Sequence, residues 1–167
     1  MGNRAVIAGE RGGEPSAKLG IYLHWNGGRD TVGPVLAFAR DVEVRWDESG
    51  IETIAALFQS IVERGEVLHI HQLDYDNGDN GTYVVDYDLE IVGREFFREE
   101  EEEQNFHSYE GVYFAAADSQ LGQALVALQD SRLSDSIHIG SNSKVTDYLE
   151  KNVRDIVAAT LARKAAK

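Results

Sequence analysis

Cysteine is missing from the chain altogether. That removes disulfides, thiolate metal sites and a cysteine nucleophile from consideration. Proline occurs only twice, so a proline-rich linker is excluded. No stretch approaches the ~18 consecutive apolar residues of a membrane-spanning helix. Residues 1–13 also lack the apolar centre of a secretory signal, so a cytoplasmic protein without membrane contact is expected. Basic residues are scarce, at 16 against 29 acidic ones, for a net charge of −13. Direct binding to nucleic acid is not expected, because phosphate contacts need a basic surface.

What is present suffices for a folded core: 43% of the 167 residues are hydrophobic, an ordinary share for a globular domain. The charge is unevenly placed. Asp74 to Glu103 holds twelve acidic residues and two basic ones, Arg94 and Arg98, whereas Lys144 to Lys167 holds six basic and three acidic. Such asymmetry suits plain solvation or an electrostatically steered basic partner.

The patterning predicts an α+β fold with a small mixed or antiparallel sheet, packed helices and a long C-terminal helix. Strands are expected at residues 4–8 and 19–25, the latter with Ile21, Leu23 and Trp25 on one face and Tyr22 and His24 on the other. A helix is expected over 32–42, capped by Asp30 or Thr31, with Pro34 in its first turn. A second helix follows from the spacing of Ile51, Ile54, Leu57, Phe58, Ile61 and Val62, capped by Ser49 and stopped at Gly65. Further strands are read at 67–73, 82–87, 89–97 and 112–115, with Ile137 and Ile139 as a small last one. Helices are expected from about Ser119 to Asp130 and Ser143 to Arg163. The boundaries drawn are a core domain over 1–98, an acidic linker over 99–110 and a mainly helical extension over 111–167.

Chemistry concentrates between the second strand and the first helix. Trp25-Asn26-Gly27-Gly28-Arg29-Asp30-Thr31 joins two glycines, which let a backbone approach a ligand closely, to a helix start with unpaired N–H groups, an arrangement suited to anions. Arg29 would clamp a phosphate, and Asp30 would cap the helix or hold a metal ion. Tyr22, His24 and Trp25 would frame or stack on a base. The same residues equally describe a tight strand-to-helix turn. The string Asn-Gly-Gly-Arg-Asp-Thr resembles the Ser-Gly-Gly-x-Asp-Ser/Thr loop of PP-loop ATP pyrophosphatases over six residues and departs at Asn26.

Asp74 to Gly81 has the look of a calcium loop, but with Asp74 as first ligand Gly78 falls at position 5 and Val85 at position 12, and with Asp76 Gly78 falls at position 3 and Tyr87 at position 12, where oxygen ligands are needed. Its Asn-Gly steps predict a hairpin turn instead. His69 and His71 share one face of a strand at a spacing that can place two imidazoles on an ion, with no definite third ligand. No metal, cofactor or catalytic residue is assigned. Glu99 to Glu103 reads as a solvated stretch or, with Asp74, Asp76, Asp79, Asp86, Asp88, Glu90 and Glu95, as a nucleic-acid-like acidic face.

Four blocks, Gly2-Asn3-Arg4-Ala5-Val6-Ile7, Ile21 to Asp30, Asp76 to Gly81 and Ile91-Val92-Gly93-Arg94-Glu95, resemble in order those of a group of small uncharacterised phage and prophage proteins. The resemblance covers residues 2–98 and implies a phage setting in the host cytoplasm, with no activity attached. Three expectations follow. One is a non-enzymatic phage-type protein that captures a nucleotide or signalling nucleotide, countering host defence, through Tyr22, His24, Trp25, Asn26, Gly27, Gly28, Arg29, Asp30 and Thr31. Another is an acidic module or nucleic-acid mimic that inhibits a basic host protein. The third is a structural assembly protein whose last helix supports a homo-oligomer.

Overall fold

The computed structural model describes residues 2–10, 17–62, 65–98 and 109–137. Over these residues the chain is an α+β fold: a five-stranded mixed sheet carries four helices. In chain order these are β1 (Ala5–Gly9), β2 (Leu19–Leu23), α1 (Arg29–Asp41), α2 (Glu48–Val62), β3 (Gly65–His69), a 3-10 turn (Ile70–Gln72), β4 (Thr82–Val85), β5 (Ile91–Glu95), α3 (Tyr109–Asp118) and α4 (Gln120–Ile137). The sheet order is β3-β2-β1-β4-β5. β1 runs antiparallel to β2 and parallel to β4, and the β2–β3 and β4–β5 pairs are antiparallel.

Alternation along the strands sorts the side chains onto two faces. Ala5, Ile7, Ile21, Leu23, Tyr83 and Val85 point to the helices, where Val35, Leu36 and Phe38 of α1 and Ile51, Ile54, Leu57 and Phe58 of α2 meet them. Val6 and Ala8 point the other way, into a smaller cluster roofed by Leu73, with Tyr22, Leu68, Ile70 and Tyr75 around it. The described part of the expected C-terminal extension belongs to the main core, since Ala116, Leu121, Leu125 and Leu128 are buried in it. Each of these three leucines contributes about 1.5–3 kcal/mol relative to exposure.

Several expectations are corrected. Residues 112–115 are helical, because Val112, Tyr113, Ala116 and Ala117 recur at helical spacing and pack on the core. The second strand stops at Leu23, so Trp25 leaves the Ile21/Leu23 face and is 44% exposed. The 74–81 loop joins no hairpin: β4 pairs with β1 and β5, and the loop carries the chain from β3 at the sheet edge to β4. The β4–β5 hairpin turns at Asp86–Glu90, where the Asp86 N–H donates to the Glu90 carbonyl and the Glu90 N–H to Asp86 Oδ1. α1 begins at Arg29, which places Pro34 beyond the first turn, with no N–H to return to the Asp30 carbonyl. The α2 cap is Asp47, whose carboxylate accepts the Gly50 N–H at 2.7 Å, rather than Ser49. Ile137 ends α4 instead of forming a strand. The helix expected over 143–163 and the acidic run Glu99 to Glu103 lie outside the described residues.

Candidate functional site

The segments Gly2 to Ile7, Ile21 to Asp30, Asp76 to Gly81 and Ile91 to Glu95 meet at one corner of the sheet, where β2 and β5 end and β1 and β4 begin. Asn77 organises the third of them. Buried at 2% exposure, its side-chain amide donates to the Gly81 carbonyl, while its Oδ1 accepts the N–H groups of Asp79 and Gly81. Gly78 and Gly81 supply the positive φ that the loop needs (74° and 63°).

So held, the loop clasps the start of β1. Asp79 Oδ2 accepts from the Arg4 backbone N–H at 3.1 Å and from Arg4 Nε at 2.7 Å. The Asn80 N–H donates to the Arg4 carbonyl at 3.0 Å, and its side-chain amide donates to that carbonyl and to Asn3 Oδ1. From β5, Arg94 Nη2 donates to the Asn80 carbonyl at 2.6 Å. The Arg94 guanidinium lies between the rings of Tyr83 and Phe97, 3.7 and 3.9 Å from their centroids, where a cation meets the electron-rich ring faces.

The same corner fixes the β2–α1 turn. The Gly27 N–H donates to the Asn3 carbonyl at 2.7 Å, and the Gly27 carbonyl accepts from Tyr83 Oη at 2.9 Å. A methyl group on Gly27 would lie 2.6 Å from Ala5 Cβ and 2.8 Å from Ala5 N, so only glycine fits there. Gly27 and Gly28 are thus buried parts of the frame, and the Gly27 amide is already used.

What the frame offers to solvent is Trp25, Asn26 and Arg29, all exposed. Asn26 adopts the left-handed conformation at φ 57°, which asparagine tolerates better than most residues. Trp25 packs edge-on against His24, with centroids 5.1 Å apart, and His24 Nδ1 lies 3.2 Å from Tyr22 Oη. Tyr22, His24 and Trp25 therefore form one aromatic row leading to the turn. α1 starts from Gly28, whose carbonyl accepts the Thr31 and Val32 N–H groups, with no side chain capping the helix. Asp30 places a carboxylate in the first turn, and Thr31 is buried.

Charge near the row is set by Arg4 and Asp79. The Asp79 hydrogen bond raises the Arg4 pKa. Burial pushes the Asp79 carboxyl upward, but the Arg4 hydrogen bonds and charge outweigh it and leave the group below its ordinary value. Burial also raises the Tyr22 phenol, which stays neutral near pH 7. Elsewhere the acidic residues are partly engaged within the fold: Glu90 pairs with Arg40 at 2.6 Å and Asp88 with Arg45 at 3.0 Å. His24 follows the end of β2 that pairs with Gly65, and His69 lies opposite the other end, at Leu19. His24 therefore lies at the opposite end of that strand pair from His69. Among the described residues no group of three His, Asp or Glu could hold a metal ion.

The chain matches no family model, no curated protein and no solved structure. The Asn26–Thr31 loop follows a strand that pairs antiparallel with both of its neighbours. No helix among the described residues is long and apolar enough to cross a membrane.

Proposed function

We propose that the protein is a non-enzymatic binding protein that captures a phosphate-bearing small ligand, a nucleotide or signalling nucleotide, at the β2–α1 corner. The observation that carries this reading is the uncapped start of α1, held by a hydrogen-bonded frame and flanked by exposed Arg29 and Trp25. The helix dipole favours an anion at this end. Arg29 adds charge-assisted hydrogen bonds, and Trp25, steadied by His24 and Tyr22, offers a ring face for a base. Gly27 and Gly28 serve as the rigid floor, and Asn26 redirects the chain. The resemblance to phage and prophage proteins supplies the setting, a host cytoplasm in which sequestering a signalling nucleotide would blunt defence.

Hydrogen bonds from β1, β4 and the 76–81 loop cross-link the frame, which limits the ordering cost of binding. The Asp30 carboxylate opposes an anion at the same helix end. Calorimetry against mononucleotides and cyclic dinucleotides tests the reading. Arg29→Ala should weaken binding at least tenfold, and Asp30→Asn should tighten it. Absence of binding to the whole panel, or indifference to Arg29→Ala, defeats the proposal.

A further inference from the structure

The two histidines after β3 form a second arrangement, remote from the β2–α1 corner. His69 closes the strand ladder opposite Leu19, and His71 follows in the 3-10 turn. Their rings lie with centroids 4.8 Å apart and planes tilted by 32°. His71 is exposed and His69 half-buried, so both reach solvent. The backbone beneath them is pinned: the Ile70 N–H donates to the Lys18 carbonyl at 2.9 Å, and the His69 N–H to Gln72 Oε1 at 3.2 Å.

Two imidazoles sharing one ion through metal–nitrogen bonds of ~2.0–2.1 Å, at angles near 90–110°, place their ring centroids roughly 4.5–5.2 Å apart. The observed separation falls inside that interval. The hydrogen bonds in the way belong to the cap of the turn: the His69 side chain accepts the His71 N–H at 3.4 Å, a long bond that contributes little, and it closes a capping box with the Gln72 backbone N–H. Two neutral imidazoles suit late first-row divalent ions, Cu²⁺ ahead of Ni²⁺ and Zn²⁺.

We propose that His69 and His71 form a two-imidazole chelate for such an ion, with water in the remaining coordination positions. The site is distinct from the proposed ligand corner and independent of it. With two protein ligands it is a surface site of modest affinity, selective for Cu²⁺ by the ordinary order of divalent ions. The pinned backbone presents both rings together, which limits the ordering cost of chelation.

The test is titration of the intact protein with CuCl₂, read by calorimetry and electron paramagnetic resonance. One equivalent should give a spectrum with hyperfine splitting from two imidazole nitrogens. His71→Asn should lower the affinity at least tenfold. His69→Asn should do the same while keeping an oxygen acceptor for the turn, and unchanged unfolding midpoints in the apo variants separate ligation from folding. The proposal is overturned if the parent binds no Cu²⁺, or if the double variant His69→Asn/His71→Asn binds it as the parent does.

Discussion

Tyr83 Oη donates a 2.9 Å hydrogen bond to the carbonyl of Gly27, fifty-six residues earlier in the chain. Both residues are buried, and the Arg94 guanidinium covers the tyrosine ring. The bond ties the central sheet to the turn that starts α1. Tyr83→Phe keeps the ring and the stack but leaves a buried carbonyl unsatisfied, at a cost of about 1–3 kcal/mol. Urea unfolding should show that loss with an unchanged slope, and nucleotide affinity should fall with it, since the helix start loses its anchor.

Gly27→Ala attacks the same joint sterically. The added methyl would meet Ala5 Cβ, Ala5 N and Arg4 C at 2.6–2.8 Å, and two of these are backbone atoms that cannot rotate away. Overpacking of this kind typically costs about 1–3 kcal/mol. Gly28→Ala meets instead Asp30 Oδ1, the end of a side chain that can turn aside. Thermal unfolding should therefore separate the two, with Gly27→Ala clearly the less stable.

Much of this architecture was legible in the sequence, and the exceptions have physical causes. Ile51, Ile54, Leu57 and Phe58 announced α2, and all four are buried, because helical periodicity survives whatever the partner is. The alternation of Ile21 and Leu23 against Tyr22 announced β2 in the same way. A short apolar run such as Val112 to Ala115 fits strand and helix alike, and packing on the helical layer decided it. The Asn-Gly steps suggested a hairpin, but no local signal says which strand a loop leads to, and β4 pairs with β1 and β5 instead of β3. In the candidate site, Arg29 and Trp25 were visible as loop residues with chemistry. The roles of Asn3, Tyr83, Asn80 and Arg94 were not, since each acts through a contact with a residue distant in sequence.

Leu89 was hidden for another reason. It takes the left-handed conformation at φ 66° in the Asp86–Glu90 turn while buried to 1% exposure. Turns normally place glycine or asparagine there. Left-handed backbone costs a leucine roughly 1–2 kcal/mol, whereas deleting a buried leucine side chain costs about 2–5 kcal/mol, so packing wins and the strain is tolerated. Leu89→Gly should thus destabilise, yet by roughly 1 kcal/mol less than Leu89→Ala, reversing the usual order of the two substitutions. Equal losses in chemical denaturation would remove the strain from this account.

The Arg4–Asp79 pair predicts acid sensitivity at the corner. Because the folded carboxyl titrates below its ordinary 3.8, its contribution is present above that pH and is lost as pH falls through the lower folded value. Asp79→Asn keeps an oxygen acceptor but no charge. Its unfolding midpoint should fall below the parent's at pH 7, and the gap should close as pH drops below about 4. A gap that stays constant into acid would assign the effect to shape alone.

At the opposite end of α1 an alkaline counterpart is built in. Tyr113 Oη donates to Asp41 Oδ2 at 2.5 Å, joining α3 to α1, and its ring meets Phe38 edge-on at 5.6 Å. The hydrogen bond to Asp41, helped by burial, pushes the phenol up to about 12 from its ordinary 10.0. Ionisation would set a phenolate against a carboxylate, so the fold favours the neutral form. The sign follows: this stabilisation is fully present below pH 10 and disappears as pH rises through about 12. An ultraviolet titration should show one tyrosine with a midpoint near 12 that vanishes in Tyr113→Phe. At neutral pH that variant should lose no more than about 1 kcal/mol, because the pair is solvent-exposed and Asp41 can turn to water. Its stability should then decline less steeply than the parent's above pH 10, and identical alkaline slopes would release Tyr113 from this role.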